Sequence, residues 1–70
     1  MVRRLSESER AMALQRLEET NERIANLEAS IQNLKDKGQP TVEAERLLRL
    51  MRRSRVVMRR HVDLLAKDQT

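Results

Sequence analysis

The side chains that could do chemistry are few and scattered. His61 is the only imidazole, and there is no Cys. A metal centre needs several converging ligands, so a single chain of this composition offers neither a thiolate site nor a His cluster. Ser6, Ser8, Ser30 and Ser54 have no base near them in sequence to activate a hydroxyl. Glu18, Glu19 and Glu22 lack the Glu-x-x-His spacing of di-iron bundles. Gly38 is the only glycine, so no glycine-rich phosphate loop exists. Zero Phe, Tyr and Trp leaves no stacking platform for bases. The inventory argues against an enzyme and against a cofactor. His61 reads as a packing or interface residue.

Arginine is the exception. Residues 1–37 carry seven basic and seven acidic side chains and balance. Residues 38–70 carry eight basic and four acidic ones, which accounts for the whole net charge of +4. From Arg46 to Arg60 there are seven arginines and no acid. Guanidinium groups bind phosphates and carboxylates bidentately, so this stripe could contact nucleic acid by counterion release, or an acidic protein. It could equally be a solvated face, paired with Glu45 on its own helix or with Glu18, Glu19, Glu22 and Glu28 across a hairpin. Arg49, Arg52, Arg53, Arg59 and Arg60 are the candidate contacts.

These residues must be placed by helices. Seventy residues suit one small domain, and 37% charged with 39% hydrophobic residues suits amphipathic helices. The only Gly and the only Pro stand together in Lys37-Gly38-Gln39-Pro40-Thr41. Gly38 fits the left-handed residue after a helix, and Thr41 fits the N-cap of the next. The spacing predicts a first helix over about 7–37, a turn at 38–41 and a second helix over about 42–67. Ser6 and Glu9 have capping-box spacing at the first start. The longest unbroken apolar run is Ala11-Met12-Ala13-Leu14, far short of a signal peptide core or a membrane span. A cytoplasmic protein without a membrane contact is expected.

The heptads differ between the two helices. In the first, Leu17, Ile24 and Ile31 form one core row, and Ala13, Thr20, Leu27 and Leu34 the other. Thr20 is small and polar, and is expected to bond its own backbone. The second helix has two adjacent seams. One is Ala44, Leu48, Met51, Met58, Val62 and Leu65, with Arg55 interrupting it. The other is Leu47, Leu50, Ser54, Val57, His61 and Leu64. One narrow helix cannot cover both. The expected fold is all-α: an antiparallel helical hairpin that dimerises into a four-helix bundle, with the second seam as the dimer interface. Met12, Met51 and Met58 are expected as core filler.

The run Gly38-Gln39-Pro40-Thr41-Val42-Glu43-Ala44-Glu45-Arg46-Leu47-Leu48, with His61 and Leu64-Leu65 after it, resembles a group of short, uncharacterised bacterial helical-hairpin proteins. In that group a Gly-x-x-Thr turn leads into an Ala-Glu-x-Leu-Leu helix. Arg23-Ile24-Ala25-Asn26-Leu27-Glu28 resembles the first half of the same group. Pro40 and the extra arginines after Leu48 depart from that pattern. The resemblance implies a coiled-coil fold and no established activity. Size and layout are also similar to the Rop dimer, an RNA-binding pair of helical hairpins. That likeness concerns architecture alone. The resulting expectation is a non-catalytic structural or protein-interaction homodimer; the alternative is a nucleic-acid-binding dimer that uses the Arg face.

Overall fold

The structure, a computed structural model, describes residues 2–67, with side-chain surroundings described for residues 8–66. Two helices make up the fold: α1 (Val2–Asp36) and α2 (Val42–Lys67). They pack antiparallel into a rod of 56 × 14 × 14 Å. At 1.5 Å per residue, α1 outruns α2 by more than two turns.

The start of α1 corrects one expectation. Ser6 lies inside the helix, not at its cap, because α1 begins at Val2. Arg3, Arg4 and Leu5 are good helix formers, and an interior Ser costs only about 0.5 kcal/mol relative to Ala. Nothing in that stretch stops the helix. The far end falls at Asp36, one residue short of the expected Lys37.

The turn closes as its residues require. Gly38 has φ of 70°, the left-handed conformation. The Gln39 N–H donates to the Leu34 carbonyl at 2.9 Å and the Gly38 N–H to the Lys35 carbonyl at 3.0 Å. This crossed pair is the Schellman arrangement, which satisfies carbonyls the helix leaves open. The Thr41 carbonyl then accepts the first bond of α2 from the Glu45 N–H at 2.8 Å. Thr41 therefore stands at the N-cap position.

The core is a single seam in two parts. Ala13, Val62 and Leu65 form the distal part, with Leu17 packed against them. Ile24, Ile31 and Leu48 form the part near the turn, backed by Leu27, Ala44 and Met51. Ile24 is the most buried side chain, only 2% exposed. Between the two parts lies a polar waist. There the buried Thr20 hydroxyl donates to the Met58 sulfur at 3.2 Å, so it does not bond its own backbone as expected. Beside it, half-buried Arg55 reaches outward, and its Nη1 donates to Asn21 Oδ1 at 3.3 Å. Met51 and Met58 belong to the seam, but Met12 is exposed, contrary to its expected core role.

Candidate functional site

The two edges of the hairpin differ in chemistry. On α2, the residue after a core position faces one edge and the residue before it faces the other, because successive side chains are rotated by about 100°. The first edge carries the polar ties. Arg52 Nη2 donates to Glu28 Oε2 at 2.8 Å, and Lys35 Nζ lies 3.5 Å from Glu45 Oε1. Both pairs are about half exposed, so they serve register more than stability. Glu45 thus turns to Lys35 and not to Arg49, the partner its spacing within α2 suggests. Of the four acids expected to flank the arginines, Glu28 forms the ion pair, while Glu19 accepts from Gln15 Nε2.

The second edge carries Leu47, Leu50, Ser54, Val57, His61 and Leu64, all exposed in the single chain. The four apolar members are 50% to 66% exposed. Their spacing alternates three and four residues, the pattern of a coiled-coil seam. The fold thus brings the whole second seam together, along one edge and over six consecutive heptad positions. Covering such a stripe is what a helical partner does.

Two hollows lie along this edge. One is bounded by Leu50, Arg53, Ser54 and Val57, with Met58 at its side. The other is a groove of about 320 Å³ between the helices, where Met12 and Arg16 of α1 face Val57 and His61 over Ala13 and Met58, with Glu9 at the rim. Sequence reasoning missed the contribution of Met12 and Arg16. The available signal was Ala13, a small residue in a core row, which leaves room beside it.

The arginines divide. Arg52 and Arg55 have partners on α1. Among the described residues, Arg46, Arg49, Arg53, Arg59 and Arg60 form no ion pair. Arg46, Arg53 and Arg60 recur every seven residues along the border of the apolar seam, and Arg53 helps to wall its hollow. Arg49 and Arg59 each follow a core position, Leu48 and Met58, and so lie toward the first edge, Arg59 seven residues after Arg52. Val56 stands exposed among them, and nothing in the structure explains it.

Among the described residues, no three His, Asp or Glu side chains stand close enough to hold a metal ion. No described helix is long and apolar enough to cross a membrane. Compared with protein-family models, curated proteins and solved structures, the chain matches none.

Proposed function

We propose that the protein is a non-catalytic helical interaction module that works as a homodimer, with Leu47, Leu50, Ser54, Val57, His61 and Leu64 at the contact. The observation that carries this reading is the exposed second seam. Its four large apolar side chains line up on the edge that the ion pairs leave open. A hairpin of this size also has a thin core, and burying a second seam is a common way to stabilise it.

Sedimentation velocity at micromolar concentration tests the reading. Wild-type chain sediments as a dimer, and its melting temperature rises with protein concentration. The Leu50→Asp, Val57→Asp double variant is monomeric, or melts independently of concentration. A wild-type chain that is a folded monomer at those concentrations overturns the proposal.

A second reading, nucleic-acid binding, is supported by Arg46, Arg49, Arg53, Arg59 and Arg60, which form no ion pair among the described residues. It predicts retardation of nucleic acid in a gel at low salt, lost with added salt and in a variant with Arg52, Arg53, Arg59 and Arg60 changed to Gln. No retardation at low salt removes it.

A further inference from the structure

We infer that the seam's occupant is a second copy whose α2 runs antiparallel to the first, so that Val57 of each chain seats beside Ser54 of the other. The inference rests on the homodimer reading above and adds the orientation.

The hollow on α2 supplies the first argument. Leu50, Arg53, Ser54 and Val57 stand at positions i, i+3, i+4 and i+7. Four residues at that spacing form the hole that receives a knob from a facing helix. Ser54, the smallest side chain of the seam, lines this hole. The hole lies on the Arg53 side of the seam. From that side an antiparallel helix inserts a residue of its Leu50, Val57, Leu64 row. A parallel helix inserts one of its Leu47, Ser54, His61 row. At the level of Ser54, the knob is the partner's Val57 in the first case and the partner's Ser54 in the second. A hydroxymethyl group leaves the hole unfilled, whereas a valine side chain occupies it.

Layer chemistry supplies the second argument. A twofold axis between Ser54 and Val57 pairs Leu47 with the partner's Leu64, Leu50 with the partner's His61, and Ser54 with the partner's Val57. Each polar or small residue meets an apolar one, and each layer occurs twice. The parallel alternative stacks Ser54 on the partner's Ser54 and His61 on the partner's His61. It thereby gathers the polar side chains at the axis, where an unpartnered polar group is costly to bury.

The border arginines give the arrangement a distinctive mark. In the antiparallel pair, Arg53 lies beside the partner's Arg60, and the contact repeats across the axis. Like charges at that spacing repel and salt screens them. Dimer affinity therefore rises with ionic strength, by about two- to fivefold between low and high salt.

The experiment uses the absence of Cys. Gln39 is exposed in the turn, so Gln39→Cys accepts one spin label per full-length chain. Pulsed dipolar spectroscopy then reads the distance between the two turns. The antiparallel dimer places them at opposite ends, about 50 Å apart from the 1.5 Å rise per residue. A separation of about 25 Å or less places both turns at one end and overturns the orientation, while leaving the homodimer intact. No dipolar coupling under conditions where the chain is folded overturns the homodimer reading itself.

Discussion

The Thr20 hydroxyl donates to the Met58 sulfur across the hairpin at 3.2 Å, in the waist between the two halves of the core. Thr20 is buried, and a thioether is a weak acceptor, so the bond adds little beyond satisfying the hydroxyl. Replacing the hydroxyl by a methyl of the same shape removes a buried polar atom and orphans no strong acceptor. Thr20→Val is therefore expected to raise stability by up to about 1 kcal/mol. Urea unfolding at fixed protein concentration checks it, and a loss of 1 kcal/mol or more would show that the hydroxyl is needed.

Ile24 is the best-buried side chain and joins the part of the core nearest the turn. Ile24→Val removes one methylene-sized group there and is expected to cost about 0.5–1.5 kcal/mol. A larger truncation at exposed Val57, Val57→Ala, is expected to change the stability of the single hairpin by no more than about 0.5 kcal/mol, toward stabilisation because Ala is the better helix former. Helical signal against urea, measured at protein concentrations low enough to exclude association, compares the two.

Gly38 isolates a purely conformational cost. A Cβ built there meets nothing within 4 Å, so no clash arises. The penalty of Gly38→Ala comes from the left-handed backbone alone, about 1–2 kcal/mol. Gly38→Asn is expected to cost less, since Asn tolerates that conformation. Thermal melts of the two variants give the order; equal melting temperatures for Ala and wild type contradict it.

The Arg52–Glu28 pair is short but half exposed on both sides. A double-mutant cycle with Glu28→Gln and Arg52→Gln is expected to return a coupling of about 0.2–1 kcal/mol, reduced by high salt. A coupling several times larger would mean that the pair anchors the helix register.

Much of this molecule was legible along the chain. The single Gly and Pro marked the turn, and the heptads picked out the row from Ala44 to Leu65 that packs on α1. The two seams on α2 left Leu47, Leu50, Val57 and Leu64 without a partner on α1, and all four are exposed in the single chain. The start of α1 was misread because Ser6 and Glu9 have a capping pattern that a helix can run straight through. Met12 was misread because its position, one residue before Ala13 of the core row, faces the edge that α2 leaves open.

By itself the sequence determined what depends on local periodicity: two helices, the turn chemistry, the core rows, and an Arg-loaded second helix. Only the tertiary structure decided what depends on how the helices are rotated and offset against each other. It turned Glu45 to Lys35, gave Thr20 the Met58 sulfur, and sent Arg55 to Asn21. It also brought Met12 and Arg16 of α1 to one groove with Val57 and His61 of α2. The physical reason is one of scale. Periodicity fixes which face a side chain occupies, to within about 100° per residue. A hydrogen bond or a knob in its hole is settled by displacements of an ångström or so between two packed helices.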